Sequence, residues 1–452
     1  MQPPVATMAA IIRRVNFTAA LTLIIMFSTM FPTGFIQEEP TFFYVDDEGG
    51  INNNSTTNWT AHTPVWDVGD LWTYVAVLDG QSLVDGAPEL AGAELDLLYG
   101  TATLQVMGVE ELIIGEEIIP VYRTITSAVV VGDGRDVPAP IIGSVDGYLT
   151  AVLVLTEYFR VGDLALIEYD KHIVMTFTAE ISFIEQTVDI ADFVESGVYS
   201  PPLEFYDFPL AMNESWNSVT NLTKTYSGSS DVVTLPGEPE YFDQEWQFLV
   251  NATGDGGFSG CENSTKVWQT TSDGEVEEWR WWCPEVNQYS SRWTSDIALG
   301  GVDAELTLTS YQPATNVLSV NVEINPNSSP LNGEVDCWVN ITDSAGNNLS
   351  DKSGYIYLTG VNRTSFTTSD NGSAYIRLKV GNTMDDTPTS DDWATHGVVA
   401  YLHSDQSVGA VTLTLEGSAI GGLLRQEANH FAAQAGQIAF LLDSQFESSF
   451  RY

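Results

Sequence analysis

The sequence predicts a mainly β protein of several domains: two antiparallel-sheet domains in tandem, a β-sandwich and a C-terminal amphipathic helix. Three observations carry this. Apolar runs of strand length recur between glycine-bearing turns from residue 65 onward, with no long helix-period stretch among them. Apolar and polar residues alternate with period two through residues 314–416. Near the C-terminus, Leu424, Ala428, Phe431, Ala435, Ile438 and Leu442 are spaced to share one helix face.

The order of elements follows from these patterns. Residues 1–36 carry Arg13 and Arg14 ahead of a mainly apolar run from Phe17 to Phe31, with no acid before Glu38. That is a signal peptide or an N-terminal membrane anchor, and the residues around Pro32 leave both open. Residues 37–64 lack any period and read as a polar linker. Residues 65–200 form the first antiparallel domain, with strands near 71–78, 93–98, 102–109, 119–127, 148–157, 164–169 and 172–183. A short helix over 184–196 closes it, and Pro201-Pro202 marks the boundary. Residues 205–311 form the second, with strands near 218–226, 241–252, 265–270, 275–283 and 304–311. Residues 314–416 form the sandwich, where Val335, Cys337, Val339 and Ile341 point one way and Glu334, Asp336, Trp338 and Asn340 the other. Residues 418–452 hold the amphipathic helix and tail, whose stripe suits docking on the protein's own domains or self-association.

Composition narrows the function. The chain of 452 residues has a net charge of −45, yet 12 Trp, 18 Tyr and 20 Phe supply cores, so it is not an acidic disordered chain. Such a charge excludes nucleic acid as a partner, because phosphate recognition needs a basic footprint. Only five lysines occur, Lys171, Lys224, Lys266, Lys352 and Lys379. This acid-rich, lysine-poor composition resembles proteins of archaea with acidic proteomes. Thirteen of the 23 asparagines begin Asn-x-Ser/Thr sequons. One, Asn16, lies at the export segment. The others are Asn53, Asn54, Asn58, Asn213, Asn221, Asn251, Asn263, Asn327, Asn340, Asn348, Asn362 and Asn371. Used sequons must be exposed in an exported protein; the alternative is a turn-rich β protein with many Asn, Ser and Thr in its loops.

Chemistry-bearing residues are few. Cys261 and Cys283 lie 22 residues apart around a candidate hairpin, a reasonable disulfide in an oxidising compartment. Cys337 is then a buried free thiol, although other pairings stay open. Asp385, Asp386, Asp391 and Asp392 put four carboxylates in one loop, either calcium ligands or a solvated acidic loop; calcium is the only cofactor the sequence suggests. The five histidines show no zinc-ligand spacing, and no nucleophile elbow or phosphate loop occurs. Trp279, Trp281 and Trp282 form the densest aromatic patch, read either as core or as a ligand-binding surface for a glycan.

Two stretches resemble known families. Pro209-Leu210 with Trp216, then Trp279-Arg280-Trp281-Trp282-Cys283-Pro284-Glu285-Val286, then Glu305-Leu306-Thr307-Leu308-Thr309-Ser310-Tyr311, are similar to uncharacterised extracytoplasmic domains of bacteria and archaea. Those domains resemble lipoprotein-carrier half-barrels, in which a curved sheet wraps a helix or an apolar ligand. Asn213-Glu214 and Cys283 depart from that pattern. The resemblance covers residues 205–311, and Val68-Gly69-Asp70-Leu71-Trp72-Thr73-Tyr74 extends it to the first domain. It implies half-barrel-like folds and brings no catalytic residues. Residues 342–358 and 367–378 resemble immunoglobulin-like (Ig-like) repeats of surface proteins and adhesins, which implies a spacer or adhesion module.

The expectation is a non-enzymatic secreted or cell-surface protein, structural, adhesive or ligand-binding, in contact with an envelope component, glycan or lipid. The alternatives are a carrier of lipid or another hydrophobic ligand, and a secreted polysaccharide hydrolase.

Overall fold

A computed structural model describes residues 59–415, apart from 62–63, 82–91, 381–394 and short connections at 115–116, 140–142, 182–183, 209, 230–234, 272–273, 296–302, 316, 331–332 and 359–362. The first fifteen strands are β1 (Trp59–Ala61), β2 (Leu71–Leu78), β3 (Glu94–Leu95), β4 (Leu98–Ile114), β5 (Glu117–Ala139), β6 (Gly143–Arg160), β7 (Leu166–Ile181), β8 (Ile184–Leu203), β9 (Leu210–Ala211), β10 (Ser215–Ser229), β11 (Glu240–Gly254), β12 (Ser264–Thr270), β13 (Val276–Cys283), β14 (Gln288–Thr294) and β15 (Ala304–Gln312). Twelve of them run antiparallel in the order β2-β4-β5-β6-β7-β8-β10-β11-β12-β13-β14-β15, and β15 returns to pair with β2. The result is a closed up-and-down barrel. β3 pairs with the far end of β5, and β1 with β9.

The expected pair of half-barrels is therefore corrected to one barrel. The edge strands of the two imagined sheets pair with each other, Ser200 opposite Asn221 and Leu306 opposite Ala76. Closure removes the unpaired N–H and C=O rows that two open sheets would expose. The helix expected over 184–196 is also overturned. Those residues belong to β8, where Ala191, Phe193 and Glu195 are buried and Asp192 is exposed, a period of two. Trp59–Ala61, expected within the linker, is a strand.

Alternation divides each barrel strand between lumen and exterior. Trp72, Tyr74 and Ala76 face the lumen while Val75 is outside. The exterior carries charge at many heights, including Arg123, Asp170, Asp192, Lys266 and Glu305. A lipid-facing barrel would present an unbroken apolar band there.

The remaining strands are β16 (Ser319–Asn325), β17 (Ser328–Ser329), β18 (Glu334–Thr342), β19 (Ser353–Leu358), β20 (Thr364–Thr367), β21 (Ser373–Lys379), β22 (Thr395–Leu402) and β23 (Ser407–Leu415). They form a sheet β16-β18-β21 and a sheet β17-β23-β22-β19-β20 around a shared core that includes Val335, Cys337, Val339, Ile341, Ile356 and Leu413. The Ig-like expectation is corrected here. The sheets hold three and five strands with a parallel β17–β23 pair, whereas constant-type domains divide seven strands into four and three.

The five-stranded sheet buries both faces. Val398, Ala400 and Leu402 enter its own core, while Tyr357, Val399, Tyr401 and Val408 join the barrel core beside Trp66, Val109 and Val161. Val109 N–H donates to Gln406 Oε1 at 2.8 Å, and Arg363 pairs with Glu111. The sandwich thus covers one end of the barrel, here called the capped end. The β5–β6, β7–β8 and β10–β11 hairpins lie at the other, the hairpin end. The expected C-terminal helix, residues 418–452, lies outside the described residues.

Candidate functional site

The lumen changes character along its length. Toward the capped end it is filled with aromatic rings: Trp72, Tyr74, Tyr122, Trp216, Phe248 and Trp282 are all at most 2% exposed. The turn between β13 and β14 satisfies two indoles at this end. Trp72 Nε1 donates to Val286 O at 2.9 Å and Trp66 Nε1 to Asn287 O at 2.6 Å. Tyr206 and Phe208, on the segment between β8 and β9, pack on Trp282 with ring centroids at 4.8 and 5.1 Å. A large apolar payload whose Trp66 and Trp72 donors are paired makes this half a core.

At mid-height a charged group interrupts the apolar lining. Glu278 and Arg280 on β13 alternate inward, and Arg292 on β14 lies directly opposite Arg280. Glu278 is bonded to Arg280 and accepts from Arg292 Nη2 at 2.9 Å. Burial alone would raise the Glu278 carboxyl, but the two guanidiniums outweigh it and hold it below the ordinary range. Arg280 also sits over the Phe205 ring at 3.7 Å. Glu157, reaching in from β6, is raised by burial against the pull of Arg292 and Arg280. Beside this group a cavity of about 10 Å³ is lined by Phe205, Phe248, Gln269 and Arg280 among others. Gln269 Oε1 faces no donor there, and the space suits one water molecule.

The opposite wall carries a second charged group. Glu195 on β8 accepts from Tyr169 Oη at 2.7 Å and forms ion pairs with Lys171 Nζ at 3.0 Å and, more distantly, Lys224 Nζ at 3.5 Å. Lys171 lies directly opposite Glu195 on β7, and Glu195 opposite Tyr226 on β10. Burial would raise Glu195, but the two ammoniums outweigh it and lower it. Tyr169 lies flat over Gly197, where a Cβ would stand 2.2 Å from its ring. Around this group the lumen keeps contact with solvent. Leu153, Leu155, Tyr199, Tyr226 and Trp246 are partly exposed, and Phe242 is 40% exposed.

The structure divides the tryptophans singled out by sequence. Trp282 is lumenal and buried, whereas Trp279 and Trp281 lie on the exterior. There Trp268, Trp279 and Trp293 stand opposite one another across β12, β13 and β14, and Lys266 Nζ lies 4.3 Å from the Trp279 ring. Cys261 and Cys283 form a disulfide at the capped end. Glu285 approaches both sulfurs, but sulfurs bonded to each other offer no thiolate to a metal. Cys337 is free and buried, its thiol pushed up to about 12 by burial and by Asp336. Asp385, Asp386, Asp391 and Asp392 lie outside the described residues, as do Asn53, Asn54, Asn58 and Asn362. Of the other sequon asparagines, Asn213, Asn221, Asn263, Asn327, Asn348 and Asn371 are exposed, while Asn251 and Asn340 are partly buried.

The lumenal residues Glu157, Lys171, Glu195, Lys224, Glu278, Arg280 and Arg292 escaped the sequence reading. Their signal was present as charge at inward positions of alternating strands, as in Phe193-x-Glu195 and Lys171-x-Ile173. Fold and site together define a capped twelve-stranded barrel whose largely apolar lumen carries two charged groups. No family model, curated protein or solved structure matches the chain.

Proposed function

We propose that this chain is a non-catalytic, exported binding protein whose barrel admits an elongated apolar or amphipathic small molecule from the hairpin end. The observation that carries this reading is the asymmetry of the lumen. One half is sealed by rings and by the docked sandwich, while side chains of the other half face inward yet keep solvent contact, Leu155 at mid-height among them. A twelve-stranded barrel is wider than the eight-stranded ones whose side chains fill the interior. Export is supported by the basic flank and apolar run of residues 1–36, by the disulfide and by the exposed sequons.

Native mass spectrometry of the gently purified chain tests the proposal. The expected result is a small-molecule mass that leaves on denaturation, or that returns when the stripped protein is offered the neutral apolar dye N-phenyl-1-naphthylamine. Protein mass alone, with no uptake of that dye, contradicts it.

A further inference from the structure

We infer that the lumenal ligand carries a single anionic group, seated at the Lys171–Lys224 pair. This rests on the lumen reading above. Lys171 and Lys224 approach the same oxygen of Glu195, at 3.0 and 3.5 Å, and Tyr169 Oη donates to that oxygen as well. Two ammoniums therefore share one carboxylate; the next acid, Glu240, stands opposite Lys224 in register on β11 but forms no ion pair with it among the described residues. Each ammonium has three donors, so each keeps donors that the single Glu195 oxygen does not take.

The surroundings sharpen the point. Lys171 and Lys224 are only 14% and 22% exposed at their side chains, so water compensates them poorly. The chain has five lysines and a net charge of −45, and two of the five meet inside the barrel. A carboxylate, sulfonate or phosphate monoester on the ligand would complete the group with charge-assisted hydrogen bonds. The apolar part has a matching wall. Phe242 lies 5.5 Å below Lys224 Nζ, and Tyr226 and Leu155 flank the same ring of the barrel. An amphipath with one charged head fits that combination.

A matched pair of dyes tests this on the full chain. 8-Anilino-1-naphthalenesulfonate carries a sulfonate that N-phenyl-1-naphthylamine lacks. The wild type should bind the sulfonate dye at least about tenfold tighter than the neutral one, despite the repulsive net charge. Lys224→Met and Lys171→Met should each cut that ratio by about tenfold, and Lys224→Arg should preserve it. Near-UV circular dichroism selects the variants that keep native packing; if both Met variants lose it, Lys224→Gln, which keeps a polar tip without the charge, should show the same roughly tenfold fall, and an unchanged ratio there overturns the inference. Binding of the neutral dye with no sulfonate preference overturns the anion inference and leaves the lumen reading intact. A sulfonate preference unchanged in the folded Met variants also overturns it. Absence of both dyes defeats the lumen reading itself.

Discussion

Asp70 ties the start of the barrel to its finish. Its carboxylate accepts from the backbone N–H of Asp67 at 2.9 Å, from Ala314 N–H at 2.9 Å and from Tyr311 Oη at 3.2 Å. At 3% exposure it has little water to replace those donors. Asp70→Ala should cost about 2–3 kcal/mol in denaturant unfolding, because it orphans three partly buried donors at once. Asp67 behaves oppositely. Burial, and then the Asp70 carboxylate, push it from 3.8 up to about 6. The folded chain holds a proton there that the unfolded chain has released, so this contribution to stability is full below pH 3.8 and is lost as pH rises through 6. Asp67→Asn should therefore gain stability on the wild type progressively between pH 4 and 6, read as a widening difference in Tm. A difference that narrows over that range would refute the assignment. Gly197 presents a third case, since an added methyl meets the Tyr169 ring. Gly197→Ala should destabilise by roughly 1–3 kcal/mol and shift the tyrosine near-UV signal.

At the scale of elements, strands were legible wherever one face met water. In β18 the alternation of Glu334, Val335, Asp336 and Cys337 states both the strand and its inward face. In β22 the run Val398-Val399-Ala400-Tyr401-Leu402 lacks alternation because both faces are buried, and the sequence offered no period to read. Residues 184–196, the first part of β8, show no clear strand period in the sequence because the inward Phe193 and Glu195 mix ring and charge. The closure of the barrel was not legible at all. Which edge pairs with which depends on strands far apart in sequence, such as β15 with β2, and no local pattern records it. The lumenal charges were equally hidden, since 61 acids make any single inward Glu unremarkable until its neighbours are known. The disulfide belongs to this scale too. It closes a 22-residue loop at the capped end, so Cys261→Ser with Cys283→Ser should cost roughly 3 kcal/mol in denaturant unfolding.

Over the whole molecule, barrel and sandwich share a core through Tyr357, Val399, Tyr401 and Val408. They should unfold in one calorimetric transition, and Tyr401→Ala should lower its midpoint without splitting it. Two separated transitions would show that the shared face contributes little. Charge also enters the interior: among the described residues, Lys171, Lys224, Arg280 and Arg292 line the lumen together with Glu157, Glu195 and Glu278. The proposed function makes this lumen a binding site entered from the hairpin end. The most direct measurement is a titration of N-phenyl-1-naphthylamine into the wild type and into Leu155→Trp, which places an indole across the lumen at mid-height. Saturable binding to the wild type is expected, and its loss in a Leu155→Trp protein with unaltered far-UV circular dichroism. Equal affinity in the two folded proteins would contradict it.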